Sequence, residues 1–267
     1  MISPLILIDF DGVIVDSAPE CFETTYQTIL LLSNEDSLKE YCSIREIPKQ
    51  KLKSIFLNYR GIVNPPEHFL TLMILVKKLI LEKKEFKLSY QEILFEFNRL
   101  NKRSDLNFIK FKKYFFQSRK KYFRKINNFI SMNKPTEFTN KVIEEFGYNW
   151  PFCILSAKNE EIIKLWLDYF NIEVKEILGN KILEKFNYNK YNAVKNIFFA
   201  NNKERIKGLF IDDYEMNLDP NFSKLGIETY FANWGYGKNI NHKVSIDEKE
   251  AIIRIKKILT KKSYYEN

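Results

Sequence analysis

Residues 4–17 read PLILIDFDGVIVDS, and this stretch indicates the fold class of the chain. The run from Pro4 to Ile8 is apolar on both faces, as in a strand buried within a parallel sheet. Asp9 and Asp11 follow it at once. In open α/β sheets, ligands bind outside the carboxyl ends of the strands. The stretch therefore predicts a buried parallel strand with acidic groups at the position of a ligand site.

Four further apolar runs have the same character and lie in the second half of the chain. They span residues 150–155, 208–211, 228–232 and, more weakly, 174–178. Helical patterns occur among them, at Thr136–Phe146, Glu160–Phe170 and Tyr191–Phe199. Strands that alternate with helices are typical of a doubly wound, Rossmann-like α/β sheet.

The block 17–135 has a different pattern. It has almost no β-type alternation, and apolar residues recur near the helical period of about 3.6 at positions 111, 115, 122, 126 and 129. We therefore expect an α/β protein in two parts. Residues 1–16 and 136–267 would form a Rossmann-like parallel-sheet core, and residues 17–135 would form an inserted all-helical cap.

The excess positive charge of the chain lies in this block. Residues 17–135 carry 23 basic and 12 acidic residues, whereas the rest carries 20 and 22, and the net charge is +9. A basic block attracts phosphate esters, nucleic acid or acidic lipid, although a lysine-rich proteome produces the same excess. Aromatic and basic residues interleave at 108–125, as in some single-strand binders. Their helical spacing instead favours a packed apolar face and a solvated basic face, so nucleic acid is not the expected partner.

The histidine and cysteine content excludes several kinds of site. His68 and His242 are the two histidines of the chain, too few for a multi-histidine metal site, and they make a Ser-His-Asp triad a poor candidate. The three cysteines, Cys21, Cys42 and Cys153, show no CxxC spacing. This pattern predicts reduced thiols in a cytosolic setting.

The sequence also argues against a membrane partner. The apolar run Phe69–Leu81 contains two lysines and is too short to cross a bilayer. The first residues lack the basic region of a signal peptide and run into Asp9 after a few apolar residues. We therefore expect a cytoplasmic protein.

Three predicted strands end in polar, reactive side chains. The first is followed by Asp9 and Asp11, the second by Ser156, and the third by Asp212 and Asp213. Strand ends of a parallel sheet meet at one edge, which makes three such ends a candidate site. Carboxylates bind a hard cation such as Mg²⁺, which needs no histidine.

These segments resemble the motifs of the haloacid dehalogenase-like hydrolases. DFDGVIVDS at 9–17 resembles the first motif in its two-aspartate phosphatase form, and ILSAK at 154–158 is similar to the second. Lys190 stands where the lysine of the third motif is expected, and LFIDDYEMNL at 209–218 resembles the acidic fourth. KLGIETYFANWGYG at 224–237 resembles the segment that follows in phosphoglycolate phosphatase-like members. The resemblance covers residues 1–17 and roughly 136–240, and β-phosphoglucomutase-like proteins share it.

The resemblance implies a Mg²⁺-dependent phosphatase. Asp9 would be the nucleophile that forms an aspartyl-phosphate, and Asp11 would first protonate the leaving oxygen and then deprotonate water. The implied metal ligands are Asp9, the backbone carbonyl of Asp11, and Asp213, with Asp212 in or beside the ligand shell. The implied phosphate-binding residues are Ser156, Lys190, Gly12 and Ala157.

Two assignments stay open at this point. Asp212 occupies a place where the family usually has Gly or Glu, so either Asp212 or Asp213 is the main metal ligand. Lys185 and Lys195 compete with Lys190, which we prefer for its spacing from the fourth motif and for the helix predicted just after it.

Four other side chains have alternative interpretations. Lys158 either contacts phosphate or is an exposed lysine at a helix start. His68 is interpreted as a surface or loop histidine instead of a ligand. Trp234 is expected to pack against the core, with a place at the rim of a pocket as the alternative. Asp16 is interpreted as a hinge or turn residue where the chain leaves the core.

The leading hypothesis is hydrolysis of a small phosphate monoester, such as a sugar phosphate, phosphoglycolate or a nucleotide. The cap would then close over the strand ends and select the substrate. A phosphomutase of the same superfamily would use the same residues. A protein whose basic cap binds RNA or another polyanion, with a vestigial core, is the third hypothesis. The particular ester, the oligomeric state and the pathway do not follow from the sequence.

Overall fold

The computed structural model of the protein describes residues 4–33, 44–63, 66–85, 87–200, 206–238 and 244–260. The chain divides into two compact units. The core unit comprises Met1–Asp16 and Lys134–Asn267, and the helical unit comprises Ser17–Asn133. The second boundary lies two residues before the predicted one, because Lys134–Pro135 pairs with a strand of the core unit.

The helical unit contains six α-helices in the part that the structure describes. They are α1 (Ala18–Leu32), α2 (Lys49–Asn58), α3 (His68–Leu81), α4 (Tyr90–Asn101), α5 (Phe108–Phe123) and α6 (Ile126–Met132). The predicted apolar stripe does not form one helix, because the chain turns between α5 and α6. Phe111 and Phe115 of α5 are fully buried in the core of this unit, so these two rings are not exposed for stacking on bases.

Helix α3 is the most apolar helix of the unit. Its residues Phe69–Leu81 supply much of the buried core. His68 begins this helix and is half-buried, with its ring edge-on to Phe97 and Phe108. Burial lowers the pKa of His68. His68 therefore lies in a helix and not in a loop, and it keeps part of its surface exposed. None of the described helices is long and apolar enough to cross a membrane.

A buried ion pair joins α1 to α5. Arg119 Nε lies 2.8 Å from Glu20 Oε1, and Arg119 Nη2 lies 3.0 Å from Glu20 Oε2. Thr24 donates a further hydrogen bond to Glu20, and the guanidinium group packs over the Phe115 ring. Both oxygens of the buried carboxylate therefore accept hydrogen bonds. The pair fixes the register of these two helices.

The core unit is built around a six-stranded parallel sheet. The strands in spatial order are β5 (Glu173–Leu178), β4 (Asn149–Leu155), β1 (Leu5–Ile8), β6 (Gly208–Asp212), β7 (Ile227–Ala232) and β8 (Ser245–Ile246). The predicted α/β fold class is confirmed. A separate antiparallel pair, β2 (Val15–Asp16) with β3 (Lys134–Pro135), lies where the chain leaves and re-enters this unit.

Five α-helices connect or follow these strands among the described residues. They are α7 (Glu137–Phe146), α8 (Glu160–Tyr169), α9 (Asn180–Glu184), α10 (Lys190–Phe199) and α11 (Glu248–Thr260). The side chains of Thr136, Asn159 and Asn189 accept hydrogen bonds from backbone N–H groups at the starts of α7, α8 and α10. These caps satisfy donors that the first helical turn leaves unpaired. The hydrogen bond accepted by the Asn189 side chain also fixes the start of α10, where Lys190 lies.

Cys21 and Cys153 are buried thiols. The remaining cysteine, Cys42, and the second histidine, His242, lie outside the described residues.

Candidate active site

Three acidic side chains meet at the carboxyl ends of the two central strands. Strands β1 and β6 are neighbours, with Ile8 paired to Ile211, so the residues that follow them lie side by side. Asp9 follows β1, Asp212 ends β6, and Asp213 comes next. Carboxylate oxygens of all three lie within 4.8 Å of one another, and all three residues are buried. The sheet order thus gathers residues that are far apart in the sequence.

Lys190 lies against this cluster. Its Nζ is 2.6 Å from Asp9 Oδ1 and 2.6 Å from Asp212 Oδ2. The lysine is buried at the start of α10, whereas Lys185 and Lys195 are exposed. The structure therefore brings Lys190, and neither of its two competitors, to the carboxylates as a buried cation.

The cluster holds three carboxylates and one ammonium group. Burial raises the pKa of Asp9 to about 8, and the Asp212 and Asp213 carboxylates add to this rise, while Lys190 opposes it. Burial disfavours the charge of Lys190, but Asp212 and Asp9 outweigh it and raise the pKa of Lys190 above its usual value. Burial and the two neighbouring carboxylates thus disfavour the charged form of Asp9.

Asp212 and Asp213 have different surroundings. Asp212 is fully buried, and it accepts hydrogen bonds from Lys190, from the backbone N–H of Tyr214 at 2.8 Å and from the side-chain amide of Asn217 at 3.0 Å. Asp213 accepts a hydrogen bond from the backbone N–H of Tyr236 at 2.6 Å. Asp212 therefore anchors Lys190, while Asp213 is held by a backbone loop.

Three glycines pack directly against Asp213. A Cβ atom added at Gly12, Gly235 or Gly237 would come closer than 3.0 Å to an atom of Asp213. Gly12 also has a φ of +88°, a backbone angle that residues with a Cβ atom rarely adopt. Gly235 and Gly237 were not among the residues predicted for the site. The signal for them was the alternation of glycine with bulky residues in NWGYG.

Asp11 forms an ion pair with Lys158. Lys158 Nζ lies 2.6 Å from Asp11 Oδ1, and the lysine side chain is 1% exposed. The interpretation of Lys158 as an exposed lysine was therefore wrong. The pair connects the segment after β1 with the segment after β4, since these two strands are neighbours in the sheet.

Ser156 and Ala157 lie in the turn after β4. The backbone N–H of Ser156 donates to the carbonyl of Leu178 at 3.0 Å, and the Ser156 hydroxyl lies 3.4 Å from the backbone N–H of Lys158. Ser156 is buried, whereas Ala157 is exposed. Ser156 thus stands at the same edge of the sheet as Asp9, because β4 pairs with β1.

Further side chains hold the segment 12–16 in place. The carbonyl of Val13 accepts hydrogen bonds from Thr136 Oγ1 at 2.6 Å and from Trp234 Nε1 at 3.1 Å. Trp234 also stacks on Phe138, so it packs within the core unit as expected. Asp16 belongs to β2 and accepts a hydrogen bond from Tyr236 Oη at 2.8 Å.

Comparison with known proteins gives a match in three dimensions. Neither the protein-family models nor the curated protein sequences contain a match to this chain. A predicted phosphoglycolate phosphatase from Lactobacillus delbrueckii subsp. bulgaricus superposes with a TM-score of 0.54 at 13% identity, over 96% of this chain and 98% of that chain. A predicted phosphatase from Clostridium acetobutylicum superposes with a TM-score of 0.53 at 14% identity, over 96% of this chain and 100% of that chain. A haloacid dehalogenase-like hydrolase from Streptococcus pneumoniae superposes with a TM-score of 0.51 at 14% identity, over 95% of this chain and 98% of that chain.

The chain has the haloacid dehalogenase-like fold. The comparison confirms, for the fold, the resemblance to this family that the sequence indicated. Within the haloacid dehalogenase-like fold of this chain, the segments that resembled the four motifs lie after β1, after β4, at the start of α10 and at the end of β6.

Gly12→Ala tests the close packing on Asp213. The new methyl group would collide with the Asp213 carboxylate and adopt an unfavourable φ, so Asp213 must move. A shift of about 1 Å in a catalytic group costs up to about 100-fold in rate. For the phosphate-ester hydrolysis that we propose below, we therefore expect kcat/KM to fall about 100-fold.

Gly147→Ala is the matched control for this variant. Gly147 has a φ of +65°, and a Cβ atom there would meet no atom within 4 Å. The substitution Gly147→Ala therefore introduces backbone strain of about 1–3 kcal/mol without a collision at the site. Activity per folded molecule should stay at the wild-type level in Gly147→Ala. Equal activity of the two variants would show that the contact with Asp213 does not matter.

Proposed function

We propose that the protein is a Mg²⁺-dependent phosphatase that hydrolyses a small phosphate monoester through an aspartyl-phosphate on Asp9. The observation that carries this proposal is the buried cluster of Asp9, Asp212 and Asp213 beside Lys190. The fold supports it, since two of the three superposed structures are predicted phosphatases. Asp11 stands two residues after the nucleophile, where an acid–base group is needed.

The residues fit a magnesium ion. Three buried carboxylates offer oxygen atoms within 4.8 Å of one another, and like charges at this distance repel one another. The donor set consists of oxygen atoms, which Mg²⁺ prefers. Asp9, Asp213 and the backbone carbonyl of Asp11 would hold the ion, because both carboxylate oxygens of Asp212 already accept hydrogen bonds from Lys190, Tyr214 and Asn217. When bound, Mg²⁺ would offset the repulsion between a carboxylate and a phosphate dianion.

The first step is the attack of Asp9 on phosphorus. Its carboxylate oxygen forms a bond to phosphorus while the bond from phosphorus to the ester oxygen breaks. Asp11, in its protonated form, gives its proton to the leaving oxygen. Lys190 and the Ser156 hydroxyl would bind the phosphoryl oxygens. Each pair of like charges at ~4 Å costs about 4 kcal/mol at an effective dielectric of ~20, so the ammonium group of Lys190 offsets a large barrier.

The second step regenerates the enzyme. Water attacks the phosphorus of the aspartyl-phosphate, and the bond between Asp9 and phosphorus breaks. Asp11, now a carboxylate, takes the proton of the attacking water. Inorganic phosphate leaves, Asp9 is again a carboxylate, and Asp11 is again protonated.

Removal of metal ions is expected to abolish this activity. A bound metal supplies several kcal/mol of transition-state stabilisation, so EDTA should lower phosphate release at least about 100-fold. The measurement is inorganic phosphate released from a panel containing a sugar phosphate, phosphoglycolate and a nucleoside monophosphate. Mg²⁺ added back in excess over EDTA is the control and should restore the rate.

Two outcomes of this experiment would contradict the proposal. Full activity in EDTA would exclude the metal, and no release from any ester by folded protein would exclude the phosphatase. Turnover of a sugar monophosphate that requires a bisphosphate activator would identify a phosphomutase instead.

A further inference from the structure

We propose that Lys158 is a positioning residue that fixes the orientation of the Asp11 carboxyl group for proton transfer to and from the reacting oxygen. The inference rests on the proposed phosphatase function. It assigns to Lys158 a contact with the acid–base group, in place of a contact with the phosphate.

The position of Lys158 is closely defined. The backbone N–H of Lys158 faces the Ser156 hydroxyl at 3.4 Å, and its carbonyl accepts a hydrogen bond from the N–H of Asn180 at 3.0 Å. The side chain is 1% exposed, and its Nζ lies 5.6 Å from the centroid of the Phe10 ring. The main chain and the side chain are therefore both held, and the ammonium group points at one oxygen, Asp11 Oδ1.

The ion pair between the two residues is asymmetric. The Asp11 side chain is 22% exposed, whereas the Lys158 side chain is 1% exposed. Water therefore reaches the carboxyl group but hardly reaches the ammonium group. A buried ammonium group is costly without a partner, so it holds its carboxylate more firmly than a surface lysine would.

This contact determines which oxygen of Asp11 carries the proton. Oδ1 accepts a hydrogen bond from the ammonium group of Lys158, so a protonated Asp11 carries its proton on Oδ2. In the first step this proton moves from Oδ2 to the ester oxygen, as the phosphorus–oxygen bond breaks and the bond to Asp9 forms. In the second step Oδ2 takes a proton from the attacking water. Without Lys158 the Oδ1 atom would lose this charge-assisted hydrogen bond, and the carboxyl group would be held less firmly about its Cβ–Cγ bond.

The nature of the leaving group distinguishes this role from direct binding of phosphate. An alkoxide leaves poorly without a proton, so an alkyl phosphate needs Asp11 as an acid. 4-Nitrophenolate leaves readily without one. Loss of a positioning contact to Asp11 thus harms an alkyl ester selectively. Loss of a contact to the phosphoryl group harms both esters alike.

The test compares kcat/KM of wild type and Lys158→Met for two substrates. These are 4-nitrophenyl phosphate and the alkyl phosphate that wild type cleaves best in the panel. We expect a fall of about 100-fold for the alkyl ester, the usual contribution of a positioned acid, and little change for the aryl ester. Lys164→Met, which alters an exposed lysine of α8, is the matched control and should keep the wild-type ratio.

The ratio of the two kcat/KM values does not depend on how much of a preparation is folded. Partial misfolding of Lys158→Met therefore cannot imitate the expected result, and Lys158→Gln provides a second variant. An equal loss for both esters, or no loss for either, would overturn the proposal. A wild-type protein that cleaves no ester would overturn the phosphatase function, and the role of Lys158 with it.

Discussion

Asp9→Asn is expected to abolish phosphate release, with kcat falling by about 10⁴-fold or more. The amide oxygen of asparagine is a poor nucleophile, so the bond from residue 9 to phosphorus cannot form. Losses of this size are typical when the nucleophile of a covalent mechanism is removed. The measurement is the steady-state release of phosphate from the best ester of the panel with Mg²⁺ present.

The structure also predicts that this variant folds normally. The asparagine side chain has the size of the aspartate that it replaces, and the substitution removes one of three buried carboxylates that lie within 4.8 Å of one another. The metal-free variant should therefore melt at or above the wild-type temperature. Asp168→Asn, a change of an exposed aspartate in α8, is the matched control and should keep full activity. If Asp9→Asn retained a tenth of the wild-type rate, the nucleophile would have to be another group.

Arg119→Met is expected to destabilise the helical unit by about 3–5 kcal/mol. The substitution leaves the carboxylate of Glu20 fully buried without its cation, and the loss of one partner of a buried pair has this cost. Urea unfolding followed by circular dichroism measures the free energy. Because the chain has two units, the transition of the helical unit has to be analysed separately.

Two variants make this second prediction specific. Arg124→Met changes an exposed arginine between α5 and α6 and should alter the free energy of unfolding by less than about 0.5 kcal/mol. The double variant Glu20→Gln with Arg119→Met removes both charges, so it should recover part of the loss. If Arg119→Met were as stable as Arg124→Met, the buried pair would contribute nothing.

The sequence predicted the sheet of the core unit more fully than the details of either unit. β1, β4 and β6 are continuous apolar runs in the centre of the sheet, and each was predicted within one residue at both ends. β8 was missed because it has two residues, too few for a periodic pattern. The break between α5 and α6 was also missed, since the apolar spacing continues across it.

The candidate site was predicted where its residues follow strands, and not where contacts depend on the folded chain. Asp9 and Asp212 could be placed together because strand ends converge in a parallel sheet. The burial of Lys158 could not be predicted. Its partner Asp11 is far away in the sequence, and the contact between them depends on the pairing of β1 with β4. Likewise, the glycines of NWGYG indicate close packing, but the sequence does not show that Gly235 packs on Asp213.

The place of β1 in the sheet has a consequence for the order in which the chain folds. β1 is made first, yet its two neighbours, β4 and β6, come from beyond residue 148. During synthesis this apolar strand has to remain without its partners until β4 and β6 have left the ribosome. The helical unit is continuous in sequence and rich in local contacts, which favour fast folding. We therefore expect the helical unit to fold early, and the central sheet to close only after β6 has emerged.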